Sequence, residues 1–262
     1  MTRPVFLAED LSCVPSSLAV GERATLGGSE GRHAASVRRI GAGEWVDVAD
    51  GRGLRLTCEV VGADKSSLSL VVREVVQEES PRPEIILVQA LAKGGRDEAA
   101  VEICTEIGID RVIPWASQRA IVQWRGPKAE KGRAKWEGVA RAAAKQSRRA
   151  YVPVVEAVTD SRELASWVRA LTDEAGAAFV CHEEATQSLG AALARVQGDA
   201  TDGSLPARVA LIVGPEGGIG PEETAQLVAA GARTVGLGAN VLRSSTAGAV
   251  ALTLIRAAVG AY

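Results

Sequence analysis

The chain has 262 residues, enough for two modest domains, and its 47% apolar and 24% charged residues are ordinary for a folded globular protein. Four cysteines (Cys13, Cys58, Cys104, Cys181) stand far apart beside two histidines, so zinc-type spacing is absent and a reduced, cytoplasmic setting is expected. The opening residues show no apolar run of signal-peptide length, and the longest apolar stretch, 247–259, is too short to cross a bilayer and reads as a buried helix.

Residues 1–76 read as β-rich. Residues 45–49 alternate, Asp50-Gly51 is a hairpin signal, 54–61 alternate again, and a third strand over 67–76 follows the turn Ala63-Asp64-Lys65-Ser66. Ser29 is placed to cap a short helix over 30–40 that carries His33, Arg38 and Arg39. Such a small, turn-rich unit is a compact barrel or sandwich. Gln77-Glu78-Glu79-Ser80-Pro81-Arg82-Pro83 reads as a linker.

From residue 84 strands and helices alternate. A strand over 85–91, a helix over 97–107 stopped by Gly108, and a strand over 111–114 come first. A basic helix, a helix over 161–175, a strand over 178–181, a helix over 188–196 and a loop over 198–206 follow. Short, continuously apolar strands predict a parallel sheet covered on both faces, so the second domain is α/β.

The formal net charge of −2 conceals an uneven distribution. Residues 119–149 hold ten Lys or Arg against Glu130 and Glu137, a net of +8. At about 100° per residue, Trp136, Val139, Ala140 and Ala143 share one helix face. Lys131, Lys135, Arg141, Lys145, Arg148 and Arg149 cover the other. Such a face is either simply solvated or a surface that attracts polyanions such as nucleic acid.

Near the C-terminus a strand over 209–213 runs into Gly214-Pro215-Glu216-Gly217-Gly218-Ile219-Gly220-Pro221-Glu222-Glu223. The helix over 221–230 has Pro in its first turn and two acids at its positive end. A second strand, 234–237, opens into Gly238-Ala239-Asn240-Val241-Leu242-Arg243-Ser244-Ser245-Thr246-Ala247. Two glycine-bearing loops, each between strand and helix, bring bare backbone close to a small ligand. The first lacks both the Gly-x-Gly-x-x-Gly spacing and a P-loop ending, which disfavours nucleoside triphosphate chemistry. Two histidines in different domains support no hydrolytic triad. Glu216 and Arg243 are the charges beside the loops, either paired with each other or left for chemistry, and His182 with Glu183 stands at a pocket rim.

Ile212-Val213-Gly214-Pro215-Glu216-Gly217-Gly218 with Pro221-Glu222-Glu223, and Leu237-Gly238 with Val241-Leu242-Arg243-Ser244-Ser245-Thr246-Ala247, resemble the two C-terminal motifs of the RsmE family. Its members are S-adenosylmethionine-dependent 16S rRNA (uracil(1498)-N(3))-methyltransferases of the SPOUT superfamily. Ala92-Lys93-Gly94, Glu106-Ile107-Gly108, Arg111-Val112-Ile113-Pro114 and Ala144-Lys145-Gln146-Ser147 fit the same pattern. So do Arg3, His33, Val37-Arg38-Arg39 and Asp50-Gly51, so the resemblance covers nearly the whole chain.

The resemblance implies a PUA-like RNA-binding β-barrel over 1–76, a linker over 77–83, and a SPOUT α/β domain with a trefoil knot over 84–262. It implies a metal-free homodimer that acts on the small ribosomal subunit. S-adenosylmethionine would be held by Cys181, His182, Val213, Gly214, Pro215, Glu216, Gly217, Gly218, Leu237, Gly238, Asn240, Leu242, Ser244, Thr246 and Ala247. RNA would meet Arg3, His33, Arg38, Arg39, Lys93, Arg119, Lys145 and Arg148. Arg243 is the candidate for stabilising a uracil anion, and Glu216 for the base or for orienting Arg243. The family commonly has an acid between the arginine and the threonine of the second motif, where this chain has Ser245. A SPOUT enzyme acting on another RNA, or an RNA-binding assembly factor with a vestigial cofactor pocket, would fit the same residues.

Overall fold

A computed structural model describes residues 3–261, and the chain divides into two compact units: Met1–Ser80 with Ala142–Val152, and Pro81–Arg141 with Pro153–Tyr262. The first unit contains β1 (Val5–Leu7), β2 (Arg23–Leu26), β3 (Trp45–Ala49), β4 (Leu54–Ala63) and β5 (Leu68–Gln77). They form one sheet in the order β1-β3-β4-β5-β2, parallel only between β1 and β3. Val46, Val48, Leu56, Cys58, Val60, Leu70 and Val72 bury their side chains in its core, which is what the alternating pattern requires.

The β3–β4 connection is wider than a two-residue hairpin. Asp50 Oδ1 accepts the N–H groups of Arg52 and Leu54 at 2.7 and 3.0 Å, which holds a four-residue turn. Its last residue, Gly53, has φ +104°, and a Cβ there would lie 2.4 Å from the Tyr151 hydroxyl. Tyr151 donates to Glu78 O at 2.9 Å, and Gly53 N–H to Ala150 O at 3.1 Å. These bonds tie residues 142–152 into the first unit.

The helix expected over 30–40 is shorter and starts earlier. It comprises α1 (Gly28–Arg32) and a π-helical continuation, His33–Val37. Ser29 is not its cap. Its hydroxyl donates to Asp10 Oδ2 at 2.9 Å, the same atom that accepts Glu30 N–H at 2.9 Å, so the carboxylate at the helix start comes from a distant residue.

The second unit contains β6 (Glu84–Ala90), β7 (Arg111–Ala116), β8 (Val154–Val155), β9 (Thr159–Asp160), β10 (Ala177–Cys181), β11 (Arg208–Val213) and β12 (Arg233–Val235). Their order is β12-β10-β11-β6-β7-β8, parallel throughout, with β9 beside β7. The helices are α2 (Arg96–Ile107), α3 (Pro127–Gln146, of which 142–146 belong to the first unit), α4 (Ser161–Asp173), α5 (Leu189–Asp199), α6 (Pro221–Ala229) and α7 (Ser244–Ala258). Successive β6 side chains go to opposite faces: Ile85 and Leu87 join the core with α2 and α7, and Ile86 and Val88 the core with α4. Both faces are therefore apolar, and each fully buried Leu or Ile contributes about 1.5–3 kcal/mol.

Two sequence expectations are corrected here. The helix expected over 247–259 starts earlier, as α7 at Ser244, because its first turn is polar and gives no apolar period to read. Helix α3 ends at Gln146, so Arg148 and Arg149 lie beyond it, with Arg148 in the left-handed region at φ 60°. The inward face of α3 is as expected, with Trp136 1% and Ala140 0% exposed. Among the described residues no helix is long and apolar enough to cross a membrane.

Candidate active site

Parallel α/β sheets present ligands at the carboxyl ends of their strands. Five such ends meet here: residues 91–96 after β6, 117–119 after β7, 182–183 after β10, 214–220 after β11 and 236–243 after β12. A cavity of about 410 Å³ is walled by Arg96, Glu183, Pro215, Glu216, Gly217, Gly218, Val241, Leu242, Arg243 and Ser244. A smaller one of about 90 Å³ adjoins it and is lined by Cys181, His182, Glu183, residues 236–242 and Ala247. Glu183, Val241 and Leu242 belong to both.

Twelve of the candidate cofactor positions line these two cavities; Val213, Gly214 and Thr246 do not. Val213 is 2% exposed and belongs to the core. Gly214 is where the first loop folds back, since a Cβ there would lie 2.6 Å from Ile219 Cγ1. The Thr246 hydroxyl donates to Arg243 O at 3.2 Å.

Glu216 does not pair with Arg243. Its Oε1 accepts Lys93 N–H at 3.1 Å and Arg96 Nη1 at 2.9 Å. Desolvation pushes this carboxyl up, but hydrogen bonds from its own N–H, from Lys93 N–H and from Arg96 outweigh it and hold the group below the usual glutamate range. A carboxylate so held is ionised, and Glu216 fastens loop 214–218 to residues 93–96 rather than orienting Arg243. The Arg243 guanidinium is exposed and has no hydrogen-bond or ion-pair partner among the described residues.

Arg243 N-caps α7 without a side-chain bond, and the next residue, Ser244, is 8% exposed with its hydroxyl unpartnered among the described residues. The N–H groups of residues 237–242 likewise have no acceptor within the chain among the described residues. His182 Nδ1 accepts Glu184 N–H at 3.2 Å, so in the neutral ring Nε2 carries the proton. Burial pushes the Cys181 thiol up to about 12, and burial and then Cys181 raise Cys104 likewise, so both serve as neutral packing groups. Among the described residues no group of three or more His, Cys, Asp or Glu side chains is placed to hold a metal ion.

The loop after β11 is anchored from below by Glu223, which is 1% exposed. Its carboxylate accepts Gln118 N–H at 2.8 Å, Gly220 N–H at 3.2 Å and the Ser161 hydroxyl. Sequence reasoning treated Glu222 and Glu223 alike and passed over Arg96. Two signals were available: an acid at the third position of a Pro-led helix often caps it, and an arginine at a helix start, against the dipole, needs a partner.

The basic candidates fall in two places. Lys93 and Arg119 belong to the second unit, where Arg119 Nη1 donates to Gly217 O at 3.2 Å. Arg3, His33, Arg38, Arg39, Lys145 and Arg148 belong to the first. Arg3 is held by Asp47 at 2.9 Å, and Lys145 by Glu30 at 2.5 Å. On α3, Lys135 pairs with Glu98 at 2.5 Å. Acids distant in sequence thus compensate part of the charge that the segment shows when counted alone.

The sequence profile of the RNA methyltransferase domain matches residues 78–256, and that of the RNA methyltransferase PUA domain residues 26–73. The ribosomal RNA small subunit methyltransferase E of Mycobacterium bovis is 43% identical over 232 residues, 88% of this chain and 85% of its own. The protein of that name from Bacillus subtilis is 29% identical, over 87% of each chain. In fold, the chain is similar to a ribosomal RNA small subunit methyltransferase E from Neisseria gonorrhoeae solved with bound S-adenosylmethionine, with a TM-score of 0.79 at 24% identity over 98% of each chain. On the profile match and the 43% identity, the chain belongs to the RNA methyltransferase family that includes ribosomal RNA small subunit methyltransferase E.

Proposed function

We propose that this chain transfers a methyl group from S-adenosylmethionine to N3 of a uridine in 16S rRNA, uridine 1498 by family, on the small ribosomal subunit. The observation that carries this reading is the meeting, at one cavity, of both glycine loops and an Arg243 that is unpaired among the described residues, in a chain of this family. The residues fit the cofactor: free backbone N–H groups over 237–242, apolar Leu237, Leu242 and Ala247, and the orphaned Ser244 hydroxyl suit a ligand held mostly by main chain. Cys181, His182, Pro215, Glu216, Gly217, Gly218, Gly238 and Asn240 complete its walls, with Val213, Gly214 and Thr246 shaping them from behind.

S-adenosylmethionine supplies an activated methyl group on a positively charged sulfur. As it takes the methyl group the acceptor nitrogen gives up its weakly acidic proton to solvent, leaving the demethylated cofactor as a neutral thioether, so the reaction is favoured by whatever stabilises the uracil anion. Arg243 does this, its guanidinium aimed at the charge that develops on the ring oxygens. Glu216 holds the loop that shapes the cavity. N3 lies on the Watson–Crick edge, so the uridine must be unpaired or turned out of its stack when it reacts. His33, Arg38, Arg39, Lys93, Arg119, Lys145 and Arg148, with Arg3, grip the surrounding phosphates.

On this reading residues 1–76, joined by 142–152, close into a PUA-like barrel, 77–83 link, and the rest of 84–262 forms a SPOUT domain whose two glycine loops carry a trefoil knot. The enzyme is a metal-free homodimer of the cytoplasm.

The test is nucleoside mass spectrometry of unmodified small subunits incubated with the protein and methyl-labelled S-adenosylmethionine. Labelled 3-methyluridine at one mapped position is the expected result. Cofactor binding without any labelled nucleoside in the small subunit would refute it.

A further inference from the structure

A third cavity, of about 400 Å³, is lined wholly by residues of the first unit, whereas the strand ends that carry the proposed chemistry belong to the second. Phe6 of β1 with Pro4 just before it, His33 of the π-helical turn with Arg38 just after it, and Lys145 of α3 with Arg148 beyond its end contribute to its walls. The RNA methyltransferase PUA domain profile covers only residues 26–73, so most of this lining comes from outside it.

The charge in this cavity is arranged unevenly. Lys145 Nζ lies 2.5 Å from Glu30 Oε1, and the other oxygen of Glu30 accepts Leu7 N–H at 3.1 Å, so this cation of the wall is neutralised and fixed. Arg38 and Arg148 are exposed, and neither guanidinium has a hydrogen-bond or ion-pair partner among the described residues. Both stand at turns with a left-handed residue, Arg39 at φ 56° and Arg148 itself at φ 60°. That conformation is disfavoured for a residue with a side chain and persists where its surroundings impose it. For Arg148 they do: its carbonyl accepts Arg55 Nη2 at 3.0 Å, and Arg55 is itself held by Asp47 and Glu78. His33 stands in T-shaped contact with Phe6, ring centroids 6.0 Å apart, and so forms a braced aromatic wall.

We infer that this cavity takes one unpaired nucleotide of the RNA, distinct from the target uridine, with its phosphate at Arg38 and Arg148 and its base against His33. The inference rests on the RNA reading given above. The volume suits a ligand of nucleotide size, and histidine faces are among those on which unstacked bases settle. A duplex, whose bases stay stacked, cannot insert one.

The test is fluorescence anisotropy of the full chain with a labelled single-stranded oligouridine, with duplex RNA and uridine monophosphate as competitors. Arg38→Ala and Arg148→Asn, the latter chosen because asparagine tolerates a positive φ, should each weaken oligouridine binding roughly tenfold and flatten its salt dependence by about 0.7 in log–log slope. His33→Ala should weaken binding at an unchanged salt slope. Three results would overturn the inference: duplex RNA competing as well as single strand, uridine monophosphate binding as tightly as the oligomer, or unchanged affinity in both arginine variants. These readouts need no turnover. A protein that binds oligouridine in this pattern but never methylates would sink the proposed reaction and leave the pocket standing; normal methylation with unaffected arginine variants would do the reverse.

Discussion

Replacing Glu223 by alanine should cost about 3–5 kcal/mol of stability and loosen the loop that walls the active-site cavity. Glu223 is 1% exposed, and three donors converge on it: Gln118 N–H at 2.8 Å, Gly220 N–H at 3.2 Å and the Ser161 hydroxyl. Ser161 is itself fixed by Trp115 Nε1 at 3.1 Å, so one carboxylate ties α6 to the ends of β7 and β9. A hydrogen bond to a charged acceptor contributes about 1.5–3 kcal/mol, and an orphaned buried donor costs about 1–3 kcal/mol. The three do not add, because one variant removes them together and the Gln118 segment, being exposed, can turn to water. Glu223→Gln keeps an acceptor oxygen but sets an amide donor among donors, and about half the loss is expected. The exposed neighbour is the control: Glu222→Ala should stay within about 0.5 kcal/mol. Urea titrations followed by circular dichroism would read the shift in midpoint at constant m-value. A loss below about 1 kcal/mol in Glu223→Ala, or one no larger than in Glu222→Ala, would refute the reasoning.

Arg243→Ala should lower kcat about 10²- to 10³-fold while S-adenosylmethionine affinity, measured by calorimetry, stays within a few-fold; a comparable loss of cofactor binding would remove Arg243 from the anion-stabilising role. Glu216 has a lowered folded-state pKa, so its contribution is complete above the ordinary glutamate range and disappears only as the pH falls through that lower value. Cofactor affinity should therefore stay level as the pH falls to the ordinary glutamate range and drop only below it, whereas a drop already near neutrality would mean that another group controls the loop. Gly248 packs α7 on the sheet, where a Cβ would meet Leu87 Cδ1 at 3.0 Å and Cys104 Sγ at 3.2 Å. Gly248→Val should cost about 1–3 kcal/mol in a urea titration, and a neutral result would mean that α7 can shift outward without loss.

How much was legible in the sequence follows from the range of the interactions concerned. The strand runs 209–213 and 234–237 and the glycines after them are local signals, and the structure has a strand, a glycine loop and a helix at each. The face of α3 with Trp136 and Ala140 was legible for the same reason, since it depends only on helical periodicity. What escaped was long-range pairing. Asp10 rather than Ser29 serves the start of α1, Glu98 and Glu30 meet Lys135 and Lys145, and Arg96 rather than Arg243 meets Glu216. None of these pairs has a spacing that periodicity could reveal. The attachment of residues 142–152 to the first unit escaped likewise, because it depends on Tyr151 finding Glu78 and Gly53.

The same geometry bears on Ser245, which stands where the resemblance implies an acid. In the first turn of α7, Ser244 and Ala247 line the cavities, whereas Ser245 lines neither. Successive helical residues are rotated by about 100°, so a group at 245 cannot share the wall that 244 presents. An acid at this position would act on the wall through its field: near the positive end of a helix dipole it is worth about 0.3–1 kcal/mol and partly cancels that end's potential. With serine there, the helix start next to Arg243 keeps its full positive potential, and Glu183 and Glu216 are the carboxylates that remain in the cavity wall. Glu216 is already paired with Arg96 and Lys93 N–H. The departure at 245 thus takes no group from the wall, and it leaves the field around Arg243 more favourable to a developing anion than an acid would.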